Sequence, residues 1–114
     1  MICSDNNLKK ILDAVYFKAV ADFGSLLDSV ILYGSYARGE ADEDSDIDVM
    51  ILVDMQQEDL VKYRRDWNRF GTMLDLENDV LISFKFQVAD TFYEWKDIVP
   101  FYSNVHKEGV KIVA

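Results

Sequence analysis

The sequence is poor in cysteine and has no long apolar run. Its one cysteine, Cys3, cannot form a disulfide within the chain, so we expect a reducing compartment. No apolar run approaches the roughly 20 residues that a membrane-spanning helix needs. Residues 1–4 lack the basic and apolar regions of a signal peptide. We therefore expect a soluble protein of the cytoplasm without membrane association.

Basic residues are also scarce, with 12 Lys and Arg against 21 Asp and Glu and a formal net charge of -9. Nucleic-acid backbones are bound by clustered Lys and Arg, so direct binding of nucleic acid is not expected. The acidity instead favours a small nucleotide bound with a metal ion, or a partner protein with a basic face. Half of the 114 residues are apolar and 13% are aromatic, which suits one folded domain over residues 1–114.

The spacing of apolar residues predicts the order helix, strand, strand, helix, strand, helix. The predicted strands are 30–33, 46–53 and 80–88. The predicted helices are 5–23, 58–76 and 91–97, with one or two further turns in 101–108, and 110–113 is either a last strand or a tail. We expect an α/β fold with one open mixed sheet whose helices lie on one face. Which strands are parallel does not follow from the sequence.

Two aspartates, Asp46 and Asp48, share one face of the second predicted strand. Their Cα atoms would lie about 7 Å apart at the strand's rise per residue. Two ionised carboxylates that close repel each other unless a cation or a proton lies between them, and on an otherwise apolar strand they cost stability. The pair predicts a hard divalent cation such as Mg2+, which shares its coordination shell with substrate phosphates.

A Gly-Ser turn precedes this pair, and ten residues separate Ser35 from Asp46. Backbone N–H groups of such a turn can bind phosphate. A strand followed by Gly34-Ser35 is often only a turn, but joined to an Asp-x-Asp segment at this spacing it predicts nucleoside triphosphate chemistry. The predicted nucleotide-binding residues are Gly34 and Ser35. Asp46 and Asp48 are the first two predicted metal ligands and catalytic residues.

Nucleotidyl transfer commonly uses two metal ions about 3.5–4 Å apart, which a third carboxylate helps to hold. Asp79, at the start of the third predicted strand, is the candidate for this catalytic and metal-ligating role. Asp79 is equally well explained as a turn residue of 77–79. Arg38 has two interpretations as well, because it could contact phosphate or pair with an acid of the loop, Glu40 or Asp44.

The segments GSYARGE (34–40) and SDIDV (45–49) resemble the signature of the minimal nucleotidyltransferases of the DNA polymerase β-like superfamily. They are similar to the MNT-type antitoxin of HEPN–MNT toxin–antitoxin pairs. The resemblance implies a nucleotidyltransferase fold, with ATP as substrate and one or two Mg2+ ions. It makes Gly34 and Ser35 the phosphate-binding turn and Asp46 and Asp48 metal ligands. The family's third acid commonly lies in a Val-Asp-Leu-Val strand, to which residues 78–81 are the nearest match.

Three functions stay open at this point. The first is a nucleotidyltransferase that moves AMP from ATP to a hydroxyl of a partner protein, a HEPN-type toxin by the resemblance. The second is an enzyme with a small-molecule acceptor. The third is a non-catalytic antitoxin that neutralises its partner by contact, which the intact pair of acids disfavours. The sequence leaves the oligomeric state open.

Overall fold

The computed structural model describes residues 3–113 and places one four-stranded sheet between two layers of helices. The helices are α1 (Asp5–Phe23), α2 (Ser35–Arg38), α3 (Gln57–Leu60), α4 (Arg64–Asn78), α5 (Ala89–Trp95) and α6 (Pro100–Glu108). The strands are β1 (Leu27–Tyr33), β2 (Ile47–Val53), β3 (Ile82–Val88) and β4 (Val110–Lys111). The prediction of a single α/β domain with a mixed sheet is confirmed.

The longest helix, α1, has clear ends. Its N-terminus is capped by Ser4, whose hydroxyl accepts a hydrogen bond from the Asn7 N–H, and it stops at Gly24, which has a left-handed φ of 54°. Its buried residues recur at helical spacing and face the sheet: Ile11, Leu12, Val15, Ala19 and Phe23. No helix within residues 3–113 is both long and apolar enough to cross a bilayer.

The sheet has the strand order β3-β2-β1-β4. β1 is antiparallel to both β2 and β4, whereas β2 and β3 are parallel. The parallel pair needs a long crossover, which α3 and α4 provide. One 3-10 turn at Val61–Tyr63 joins them, so the helical backbone continues through the segment for which the sequence predicted one helix. Residues 110–113, left open between a strand and a tail, contain the short edge strand β4 at Val110–Lys111.

The helices cover both faces of the sheet, so the expectation that they lie on one face is wrong. α1 and α4 pack on the face that carries Val49 and Ile51. α5 and α6 pack on the opposite face, where Phe92 and Val105 meet Met50 and Leu52. The physical reason is the central strand β2, which is apolar on both faces. Leaving either face exposed to water would cost free energy, so helices cover both.

Trp67 anchors α4 to the sheet and is completely buried. Its indole Nε1–H donates to Asp22 Oδ2 at 2.9 Å, so the polar atom of the ring is satisfied. Its ring contacts four other aromatic side chains: Phe23, Phe70, Phe84 and Phe86. This cluster fixes the position of β3 beside β2, and the pairing of these two strands builds the candidate site.

Candidate active site

One row of side chains crosses three strands at the end of the sheet where the Gly-Ser turn lies. Asp48 pairs with Tyr33 of antiparallel β1 and with Ser83 of parallel β3. Directly paired residues direct their side chains to the same face, so these three share the face that α5 and α6 cover. The row behind consists of Ile31, Met50 and Lys85.

Gly34 lies directly against Asp48. It has a φ of 76° and a ψ of -156°, a backbone conformation that residues other than glycine rarely adopt. A Cβ atom at this position would overlap the Asp48 Oδ2 atom. The structure therefore brings the turn and this carboxylate together, and glycine is needed there both for its backbone conformation and for its missing side chain.

Ser35 begins α2, a single helical turn where the sequence predicted only a turn. The N–H groups of Ala37 and Arg38 both donate to the Gly34 carbonyl at 3.1 Å, which closes the turn. The preceding N–H groups, those of Ser35 and Tyr36, belong to the first turn of a helix and have no acceptor within it. Such groups are available to an anionic ligand beside Asp48.

Asp48 is half-buried, whereas Asp46, one residue before β2, is exposed. Burial raises the pKa of the Asp48 carboxyl above its ordinary value, and the charge of Asp46 raises it further, while Lys85 and Arg38 act in the opposite direction. Burial, followed by the charge of Asp48, raises the pKa of Tyr33 to about 12. An ionised Asp48 is therefore unfavourable in the folded protein, as expected for a group that serves binding or chemistry rather than stability.

Asp48→Asn should make the protein more stable at pH 7, raising its melting temperature by a few degrees. Because the folded-state pKa of Asp48 is raised, ionisation penalises the folded state at every pH above that value. The advantage of the variant should shrink as the pH falls through the raised pKa, and it should vanish below the ordinary value of 3.8. Thermal melts of both proteins from pH 7 to pH 3.5 measure this, and a stabilisation that persists at the acid end would contradict it.

Arg38 pairs with two carboxylates, Glu40 at 3.0 Å and Glu108 of α6 at 3.4 Å. The pairing with a loop acid that the sequence allowed is thus observed for Glu40. Both pairs are exposed, so they are weak in water and can exchange for another anion. The Glu108 pair links α2, which carries the Gly-Ser turn, to the helix layer over the site.

Asp79 does not begin β3, because the strand starts three residues later at Ile82. It ends α4 with a left-handed φ of 51°, a conformation that Asp tolerates at helix C-termini, and Asp75 accepts a hydrogen bond from the Ile82 N–H to close the turn. Asp79 and Asp46 nevertheless line one cavity of about 340 Å3. Within residues 3–113 no three Asp, Glu, His or Cys side chains lie close enough to hold one metal ion together. Asp79 as a third ligand stays a prediction.

Two residues that the sequence did not single out border the site. Phe101, at the start of α6, packs its ring 5.7 Å from the ring of Tyr33. Lys85 places its Nζ atom 5.7 Å from the centre of the same Phe101 ring. The alternation of Ser83 and Lys85 along the third strand was visible in the sequence, but the placement of Ser83 opposite Asp48 and of Lys85 opposite Met50 depends on the strand register.

The comparison with known families bears on this geometry. The sequence profile described as "Nucleotidyltransferase domain" matches residues 8–112. The chain belongs to this family. The match includes every element that builds the site, from α1 to β4.

Curated proteins from Methanocaldococcus jannaschii are similar to this chain. "Putative protein adenylyltransferase MJ0141" is 46% identical over 57 residues, which cover 50% of this chain and 56% of that protein. "Putative protein adenylyltransferase MJ1305" is 33% identical over 91 residues, 80% of this chain and 58% of that protein. "Putative protein adenylyltransferase MJ0604" is 32% identical over 105 residues, 81% of this chain and 92% of that protein. The chain spans less than two thirds of the length of the first two.

Solved structures share the fold of this chain. "Structure of putative minimal nucleotidyltransferase" matches 94% of both chains with a TM-score of 0.61 and 21% identity. "Crystal structure of the toxin-antitoxin with AMP-PNP" matches 93% of this chain and 71% of that one, with a TM-score of 0.52 and 18% identity. The layered sheet of this protein is therefore the minimal nucleotidyltransferase fold.

Proposed function

We propose that this protein is a nucleotidyltransferase that depends on a divalent cation and transfers AMP from ATP to a hydroxyl group of a partner protein. The observation that carries the proposal is the contact of the Gly34 turn with Asp48. This contact supports the proposal because the turn begins a helix whose first N–H groups have no acceptor within it, and because the ionised Asp48 is unfavourable for stability. The names of the curated relatives support the choice of a protein as acceptor.

The side chains present fit a divalent cation that arrives with a nucleotide. Asp46 and Asp48 would hold it, because Mg2+ is usually bound by one or two carboxylates together with substrate phosphates and water. The missing side chain of Gly34 leaves Asp48 room beside the turn. The cation would draw charge from the phosphate oxygens during transfer.

The chain's own residues would then position the reactants. The N–H groups of Ser35 and Tyr36 would bind the phosphates, and the rings of Tyr33 and Phe101 would keep water from one side of Asp48. In the transfer, the acceptor oxygen forms a bond to the α-phosphorus while the bond from that phosphorus to the bridging oxygen of the β-phosphate breaks. Pyrophosphate leaves with the electron pair, and the hydroxyl proton is released to solvent.

The proposed acceptor is a hydroxyl of a HEPN-type toxin, which would make this protein the antitoxin of a pair in the cytoplasm. The net charge of -9 suits a partner with a basic, RNA-binding surface. Support comes from the solved structures whose names describe toxin–antitoxin complexes, one of them with AMP-PNP.

The test is incubation of the protein with radiolabelled ATP, Mg2+ and the product of the adjacent gene, followed by electrophoresis and mass spectrometry. We expect label on a hydroxyl side chain of the partner, and no label when EDTA is present. Label on a small molecule alone would favour the second function considered above. Tight binding without label, unaffected by loss of both aspartates, would favour a non-catalytic antitoxin and would overturn the proposal.

A further inference from the structure

The residue of β3 that pairs with Asp48 is Ser83, not a carboxylate. β3 runs parallel to β2, and the side chains that it directs to this face are Ser83, opposite Asp48, and Lys85, opposite Met50. A third acid could join the pair most directly from the Ser83 position, because paired residues of neighbouring strands lie within about 5 Å of each other. Serine cannot supply the negative charge that would hold a second cation there.

Lys85, two residues after Ser83 on β3, brings a positive charge to the same face of the sheet. Its ammonium lies against the Phe101 ring, which in turn packs on Tyr33, so it is held over the face that carries Asp48. Its charge acts on Asp48 by lowering the pKa of that carboxyl. No ion pair within residues 3–113 involves Lys85. The ammonium is therefore free to bind an anionic ligand.

We propose that Lys85 binds the phosphates of the nucleotide and takes the place of a third carboxylate and its cation, so that the site holds one divalent cation per nucleotide. The inference rests on the proposed function of the site. An ammonium on this face, two residues along β3 from the residue opposite Asp48, repels a second divalent cation and offsets triphosphate charge without one. Lysine serves as a point charge for phosphate elsewhere in proteins as well.

The rival arrangement is a third carboxylate from Asp79. That residue shares a cavity with Asp46, but it lies on the end of α4, outside the row that Asp48 and Ser83 form. Within residues 3–113 Asp79 forms no three-carboxylate cluster with Asp46 and Asp48, so joining them would require the turn after α4 to move. The hydrogen bond from the Ile82 N–H to Asp75 Oδ1, at 2.8 Å, holds that turn. The two arrangements predict different numbers of bound cations.

The experiment measures Mn2+ bound per chain by the paramagnetic resonance of free Mn2+, in the presence of α,β-methylene-ATP, which cannot be cleaved at the α-phosphate. We expect one Mn2+ in the wild type. Isothermal titration calorimetry should show that Lys85→Gln weakens nucleotide binding about tenfold, while Lys85→Arg stays within about twofold because it keeps the charge. Lys62→Gln, an equal loss of charge in the turn before α4, should leave the affinity unchanged.

The gain-of-site variant is Ser83→Asp combined with Lys85→Val, which should bind a second Mn2+ with the nucleotide. Both positions are at least partly exposed, and circular dichroism melts check that the variants stay folded. Two Mn2+ in the wild type, falling to one in Asp79→Asn, would overturn the assignment of Lys85 and leave the proposed function intact. Unchanged affinity in Lys85→Gln would overturn it too. Absence of any cation or nucleotide binding in the wild type would overturn the proposed function itself.

Discussion

Asp46→Asn and Asp48→Asn should each lower the rate of AMP transfer by at least about 1,000-fold. Asparagine keeps the size of the side chain but removes the negative charge that would hold the cation, and loss of one preorganised electrostatic group in an active site costs about 100-fold to 1,000-fold. Loss of a cation ligand adds to this cost because the cation is also bound more weakly. The rate is measured by release of labelled pyrophosphate and by mass spectrometry of the acceptor.

The matched control for these variants is Asp59→Asn, the same chemical change at an exposed position of α3. It should keep the wild-type rate. Asp48→Asn should also bind less Mn2+ while melting at a higher temperature, so that its inactivity cannot be attributed to unfolding. A variant at either site aspartate that retains more than about a tenth of the wild-type rate would contradict the role of the carboxylate pair.

Gly34→Ala should lower the free energy of unfolding by about 3 kcal/mol and reduce transfer at least about 100-fold. The new Cβ would overlap Asp48 Oδ2, in a backbone conformation that alanine rarely adopts. Relief requires the turn or the carboxylate to move, and either movement disrupts the proposed phosphate and cation positions. Urea unfolding followed by tryptophan fluorescence measures the stability, and the transfer assay measures the rate.

Gly39→Ala separates the two causes. Gly39 has a similar φ of 72°, but a Cβ there would meet nothing within 4 Å. Gly39→Ala should lower the free energy of unfolding by only about 1 kcal/mol, which is the cost of a left-handed conformation for an L-residue. The variant should keep most of its transfer activity. Combining Gly34→Ala with Asp48→Ala should recover the part of the lost unfolding free energy that comes from the overlap of the new Cβ with Asp48 Oδ2. Equal destabilisation by the two single glycine variants would show that the turn does not press against the carboxylate.

The site could be predicted from the sequence as far as its components follow one another along the chain. The Gly-Ser turn and the Asp-x-Asp segment lie at the ends of two adjacent strands, so their approach follows once both strands are recognised. Asp79 shows where this reasoning stops. In sequence it precedes an apolar strand, but the last turn of α4 extends to Asn78 and leaves Asp79 as the left-handed residue that ends the helix.

Helix placement shows the same division. The sequence showed that β2 is apolar on both faces, and this should have predicted helices on both sides of the sheet. The helices that provide this cover, α5 and α6, are short, with seven and nine residues. Their position is decided by contacts of Phe92 and Val105 with Met50 and Leu52, which are distant in the chain.

The sequence by itself determined the family signature, the single α/β domain and the pair of acids that follows the Gly-Ser turn, because these are local patterns of residue type and spacing. The tertiary structure alone decided that β3 runs parallel to β2 and in which register. That register places Ser83, rather than a third acid, opposite Asp48, and places Lys85 opposite Met50. The reason is physical: a shift of one residue turns every side chain of a strand to the opposite face, and register is set by packing between elements far apart in sequence, here the aromatic cluster around Trp67.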